Sequence, residues 1–252
     1  MGRVIVIANQ KGGVGKTTTA INLSACMAAA GKKTLLVDLD PQGNATSGLG
    51  VAKQALDQTL YHALVDHVGL LDVTQPTAVD GLSVAPANKD LVGAEVELVD
   101  VPEREYRLRR QVDSVRDAFD YVFIDCPPSL GLLTLNGLVA ADGVMITLQC
   151  EYYALEGLSE LLHTIVLVRD KLNPRLRLQG VLLTMYQHTN LSRQVVDDVR
   201  AHLGQKVYET VIPRNVTLSE APSFGKPVIY YDLKSPGAQA YLALAREVVA
   251  RG

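Results

Sequence analysis

Runs of apolar, β-favouring residues recur along the chain, and a stretch with helical spacing follows most of them. The runs are Val4 to Ala8, Thr34 to Asp38, Leu82 to Ala85, Tyr121 to Asp125, Gly143 to Leu148, Gln179 to Met185 and Val207 to Ile212. Several are apolar without alternation, as strands covered on both faces must be. The spacing between them predicts helices near residues 17–30, 58–66, 103–119, 130–141, 154–172, 192–203 and 236–250. This rhythm predicts an α/β fold, a doubly wound, mostly parallel sheet with helices on both faces, in which ligands bind beyond the carboxyl ends of the strands. No internal repeat or low-complexity linker breaks it, so residues 1–252 read as one domain. The segment 86–105, with Pro86, Pro102 and an acidic run, reads as the least ordered part.

Between the first strand and the first helix lies Asn9-Gln10-Lys11-Gly12-Gly13-Val14-Gly15-Lys16-Thr17-Thr18. Strand, glycine-rich turn and helix make the context of a phosphate cradle. The backbone N–H groups of Gly12, Gly13, Val14, Gly15 and Thr18 can converge on phosphate oxygens, and the helix beginning near Gly15 aims the positive end of its dipole at them. Lys16 is then placed for the β- and γ-phosphates and the Thr17 hydroxyl for Mg²⁺. The usual pattern opens on glycine, whereas Gln10 holds that position here and a second lysine, Lys11, sits just inside the loop. It is a deviant P-loop.

Two carboxylate sites fall at the carboxyl ends of predicted strands. In Leu35-Leu36-Val37-Asp38-Leu39-Asp40-Pro41 the aspartates share a face only as far as the strand persists, and Pro41 makes that short. Tyr121-Val122-Phe123-Ile124-Asp125 has the form of a Walker-B strand, whose aspartate belongs to the Mg²⁺ shell.

Composition adds limits. The share of apolar residues, 48%, and of charged ones, 20%, is that of an ordinary soluble globular protein. No apolar run approaches the ~18 residues of a membrane span, and the three residues before the first strand leave no room for a signal peptide. The expected location is cytoplasmic. Cys26, Cys126 and Cys150 are odd in number and lack metal-type spacing, so reduced, buried thiols are expected. His62, His67, His163, His188 and His202 show no zinc spacing, and Ser129 and Ser192 have no nucleophile context. Charge is uneven: residues 1–150 carry 12 Lys+Arg against 17 Asp+Glu, and residues 151–252 carry 12 against 10. The whole is no basic nucleic-acid module, while the later part can still present a positive face.

Lys11-Gly12-Gly13-Val14-Gly15-Lys16-Thr17, Val37 to Asn44, Asp125-Cys126-Pro127-Pro128, Glu151 to Gly157 and Ile212 to Pro222 together resemble the ParA/Soj family of chromosome- and plasmid-partitioning ATPases over nearly the whole chain. The resemblance implies ATP and Mg²⁺ as cofactors and a slow, partner-stimulated ATPase. It also implies a homodimer in the ATP-bound state that binds double-stranded DNA non-specifically, associates with the nucleoid and answers to a ParB-type partner. It gives Lys11 the part of a lysine that reaches the partner subunit's nucleotide, and makes Lys11, Lys16 and Asp40 the catalytic set, with Asp40 orienting the attacking water. Thr17 becomes the direct Mg²⁺ ligand, with Asp38 and Asp125 behind it. Met185, Pro213 and Asn215 match the adenine side.

Related chains commonly place arginines in the loop after the Met185 strand and at the position of Thr217, and this one has neither. The candidates left for DNA phosphates are Arg193, Arg200, Lys206, Arg214, Lys226 and Lys234, with Arg169, Lys171, Arg175 and Arg177 as a second cluster. A related ATPase that positions another cargo, or a regulatory switch, fits the same motifs. A MinD-like membrane switch should end in a basic amphipathic helix, whereas Tyr241 to Ala250 is short and alanine-rich. An iron–sulfur reductase would use two cysteines such as Cys126 and Cys150, and the glycine-rich surroundings of a cluster are absent.

Overall fold

A computed structural model of the chain describes residues 1–151 and 154–251, those of 154–156 by their backbone alone. Among these residues eight strands lie in one sheet: β1 Arg3–Ala8, β2 Thr34–Asp38, β3 Gln75–Pro76, β4 Leu82–Ala85, β5 Tyr121–Asp125, β6 Gly143–Gln149, β7 Arg177–Tyr186 and β8 Val207–Pro213. Their order is β3-β4-β2-β5-β1-β6-β7-β8. Every neighbouring pair is parallel except β3 and β4. The register sets Asp125 beside both Asp38 of β2 and Ile7 of β1.

Non-alternating apolar strands serve two cores. Val4, Val6, Val37, Val122 and Ile124 face the layer that holds the helices Arg107–Val115, Leu132–Ala140, Ala154–Lys171 and Asn190–Leu203. Ile5, Ile7, Leu36 and Phe123 face the other layer, formed by α1 (Lys16–Ala29) and the last helix, Pro236–Ala250. Each fully buried aliphatic side chain contributes about 1.5–3 kcal/mol relative to exposure, so both layers hold the sheet, and with it the strand ends, in place.

All seven strands expected from the sequence are present, and so are the seven helices, within a few residues at their ends. The two-residue β3 was too short to show a period. The segment 86–105 is a correction: it contains the helix Leu91–Glu97, held down by Leu91, Ala94 and Leu98, all buried at i, i+3 and i+7. Among the described residues, no helix is long and apolar enough to cross a membrane.

Candidate functional site

The glycine loop leaves β1 after Ala8 and enters α1 at Lys16, at the carboxyl ends of the central strands. Gly13 and Gly15 take φ of 73° and 85°, the left-handed region that a side chain resists. Gly15 caps α1 without a side-chain hydrogen bond, and no acidic residue occupies the first turn. The helix therefore presents unsatisfied N–H groups and its positive end to the loop, an arrangement that calls for an anion.

Lys16 is 6% exposed, and its Nζ donates to the Lys11 carbonyl at 2.9 Å. Burial lowers its pKa, opposed by the nearby Asp125, Cys126 and Asp40. Gln10, the residue in place of the usual glycine, turns outward: its Nε2 donates to the Gly157 carbonyl at 3.2 Å and to Glu160 Oε2 at 2.9 Å. The deviation ties the loop to the helix Ala154–Lys171. Lys11 also turns outward, its Nζ 3.4 Å from Glu151 with both side chains about half exposed. Such a pair is worth only about 0–1 kcal/mol, so Lys11 is weakly held and faces outward.

The carboxylates lie deeper. Asp38 is fully buried; its Oδ2 accepts from the backbone N–H and the hydroxyl of Thr46, both at 2.7 Å, and its Oδ1 from the Asp40 N–H at 3.3 Å. Burial pushes its carboxyl up to about 6 against the pull of those hydrogen bonds. The strand does not persist to Asp40, which sits in the following turn and accepts from the Gln42 N–H at 2.9 Å. Asp125 is also fully buried, and among the described residues neither of its oxygens has a hydrogen-bond partner of normal geometry. Burial, then Asp38, drives its pKa well up, while the nearby Thr17 hydroxyl and Lys16 pull it down. A buried carboxyl without partners, beside a hydroxyl and an ammonium, fits the outer layer of a bound divalent cation. Among the described residues, no cluster of three or more His, Cys, Asp or Glu could hold a metal on its own. A cation here would arrive with phosphate oxygens.

Gly12, Gly13, Gly15, Lys16, Thr17 and Asp40 line a cavity of about 360 Å³. It shares Gly15, Thr17, Thr18, Asn44 and Met185 with a second cavity of about 530 Å³, which Pro213, Asn215, Ile21 and Leu218 also line. The predicted phosphate-side and base-side residues are therefore contiguous. Met185 holds φ of 52°, uncommon for a residue with a side chain. Lys11 and Val14 line neither cavity; the Val14 carbonyl accepts from the Thr184 hydroxyl at 2.9 Å.

Three residues carry weight that no motif announced. Thr46 links the end of β2 to the segment that follows β4, since its hydroxyl also accepts from the Ala87 N–H at 3.0 Å. Thr184 braces the glycine loop from β7. Asn22 accepts from the Val228 N–H at 2.7 Å and so fastens α1 to the short helix Val228–Tyr231.

The basic candidates do not form one face. Arg193, in the first turn of the helix Asn190–Leu203, stands at the nucleotide end with Arg214, which lines the base-side cavity. Lys226 and Lys234 flank the short helix Val228–Tyr231 beside α1. Arg200 and Lys206 lie at the opposite end of the sheet, next to Arg177. Arg169 is paired with Asp170 at 3.0 Å. In the stretch Glu151 to Gly157, Tyr152 and Tyr153 lie outside the described residues. All three cysteines are free and buried, and burial pushes Cys26 to about 12 and Cys150 to about 11, with Cys126 also raised.

A family model described as an AAA domain matches residues 2–178. The chain is 58% identical over 253 residues to the sporulation initiation inhibitor protein Soj of Bacillus subtilis (strain 168), covering 100% of both. It is 57% identical to the chromosome partitioning protein ParA of Myxococcus xanthus, covering 100% of this chain and 89% of that one. A crystal structure named cobyrinic acid a,c-diamide synthase from Mycobacterium smegmatis, with bound ATP analogue and magnesium, superposes with a TM-score of 0.86 at 41% identity, over 98% of this chain and 93% of that one.

Proposed function

The chain belongs to the ParA/Soj family of chromosome-partitioning ATPases, and from that premise we propose that residues 1–252 act as one ATP-operated dimerising switch. In its ATP-bound dimer it binds duplex DNA without regard to sequence. It hydrolyses ATP to ADP and phosphate, slowly alone and faster with a ParB-type partner, and so drives chromosome or plasmid segregation on the nucleoid in the cytoplasm. The observation that carries this reading is Asp125, a fully buried carboxylate whose oxygens have no hydrogen-bond partner of normal geometry among the described residues, next to Lys16 and Thr17 under the open end of α1.

In this reading the backbone from Gly12 to Thr18 cradles the phosphates, and Lys16 leaves the Lys11 carbonyl to meet their charge. Mg²⁺ bound together with the nucleotide would supply neutralisation of phosphate charge. Thr17 would hold it directly and Asp125 from one layer out. Asp38, whose oxygens are engaged by Thr46 and Asp40, fixes the turn that carries Asp40. Asp40, at the cavity wall, orients the attacking water. Met185, Pro213 and Asn215 take the base. Lys11 faces away from its own cavity on a weak tether, and a second subunit's γ-phosphate is a stronger partner for it than Glu151. Delivered in trans, such a cation stabilises transition-state charge as an arginine finger does, which makes hydrolysis conditional on dimerisation.

Fluorescence anisotropy with duplex DNA of unrelated sequences tests the reading. Tight binding with ATP and Mg²⁺, weak binding with ADP and a fall in affinity with salt are expected. Equal affinity in all nucleotide states contradicts it.

A further inference from the structure

At the amino ends of the strands, far from the glycine loop, lies a basic groove that the nucleotide site leaves unused. Arg3 opens β1 and Arg177 opens β7; Arg200 sits in the last turn of the helix Asn190–Leu203; Lys206 precedes β8; and Arg251 follows the last helix. These five cations line one open groove of about 1210 Å³, in which Glu209 is the sole acidic residue among the described lining.

Not all five are spent on the fold. Arg251 is: it donates to the Val207 carbonyl at 2.7 Å and the Gln205 carbonyl at 3.2 Å, pairs with Glu247 at 2.7 Å and covers the Tyr208 ring at 4.2 Å. Arg3 gives Nη2 to Gln179 at 2.5 Å, and its Nη1 is buried, without a hydrogen-bond partner among the described residues, so it adds positive charge to the groove floor rather than an open donor. Arg200 gives one Nη2 to the Glu209 carbonyl at 3.1 Å. Arg177 and Lys206 are exposed, and their side chains have no hydrogen bond or ion pair among the described residues. Arg177, Arg200 and Lys206, all exposed and on three elements, keep donors to spare, in a groove larger and more open than the ~300–1,000 Å³ of a small-molecule pocket.

We infer that this groove is a second DNA-phosphate face, taking the sugar–phosphate backbone of a duplex at the end of the sheet away from the nucleotide. The inference rests on the DNA-binding reading above and says where that binding lies. The chain has no arginine in residues 186–190 and a neutral Thr217 at the nucleotide end. The six residues of β1 put about 20 Å between groove and loop. A dimer joined through its nucleotide faces leaves both grooves outward. The groove is formed in each subunit without nucleotide, so the ATP dimer carries two grooves, one at each end, and gains in DNA binding where two stretches of duplex are reached at once.

The test compares the unmodified chain, Arg177→Gln/Lys206→Gln and Arg193→Gln/Lys226→Gln in duplex DNA titrations with ATP and Mg²⁺ across a salt series. Loss of two phosphate contacts should flatten the slope of log affinity against log salt by about 1.8 and weaken binding about tenfold in the groove variant. Its ATP-dependent dimer mass and its ATP hydrolysis without DNA should be unchanged. Unchanged DNA binding in the groove variant, with loss in the Arg193/Lys226 variant, overturns the inference and leaves the DNA-binding reading standing. If the unmodified chain forms its ATP dimer and binds no duplex at low salt, the reading itself fails and takes the groove with it.

Discussion

Lys16 Nζ donates to the backbone carbonyl of Lys11 at 2.9 Å, so the two lysines of the loop are linked, one by its side chain and the other by its backbone. The bond keeps a nearly buried ammonium satisfied until phosphate replaces the carbonyl. A charge-assisted hydrogen bond is worth about 1.5–3 kcal/mol, so Lys16→Ala should weaken ATP binding by at least about tenfold to a hundredfold. Titration calorimetry measures it, and unchanged affinity would remove Lys16 from the phosphate site.

Thr46 is a structural joint. Thr46→Val keeps the shape but leaves a buried Asp38 oxygen and the Ala87 N–H each short of a partner. Unsatisfied buried groups cost about 1–3 kcal/mol each, so chemical denaturation should show a loss of about 2–6 kcal/mol, with Thr46→Ser close to the parent. A loss of the same size in Thr46→Ser would assign the effect to packing instead.

Burial raises both Asp38 and Asp125. A carboxyl whose folded value exceeds its unfolded one binds the extra proton in the folded state. Its stabilising contribution is therefore full below the unfolded value near ~4 and is lost as pH rises toward the folded value. For Asp38 that window ends at about 6. Without nucleotide, Asp125→Asn should accordingly melt above the parent at pH 8, with the gap closing as pH falls toward ~4. ATP with Mg²⁺ should reverse the order at pH 8, since only the parent's carboxylate gains from the cation. Thermal melts across pH, with and without nucleotide, decide; a gap constant with pH refutes the buried-charge account.

The strands were legible because burial on both faces writes itself as unbroken apolar runs, as in Val4 to Ala8 and Val122 to Ile124. Lys16, Thr17 and Asp125 were legible because loop and strand-end chemistry is local in sequence. Thr46 and Thr184 were not, since each acts on a residue brought close only by the sheet. The basic residues misled for a related reason. Arg193 and Arg200 are neighbours in sequence, but the helix Asn190–Leu203 carries them to opposite ends of the sheet, and Arg3, the first residue of β1, joins Arg200 only in space.

Lys11→Ala should retain ATP and lose ATP-dependent dimerisation. Mixed with Lys16→Ala, whose intact Lys11 can reach the ATP held by the Lys11→Ala subunit, it should regain part of its hydrolysis. No recovery at any ratio, with mixed dimers confirmed by differential tagging, would make Lys11 a loop lysine acting within its own subunit.

The switch itself is tested most directly by the mass of Asp40→Ala in solution. This variant should keep the phosphate cradle, lose the group that orients the water, and hold ATP unhydrolysed. Light scattering after size exclusion should give the 27.2 kDa monomer with ADP and twice that mass with ATP and Mg²⁺. A monomer in both states, with ATP binding confirmed by calorimetry, would contradict an ATP-operated dimer.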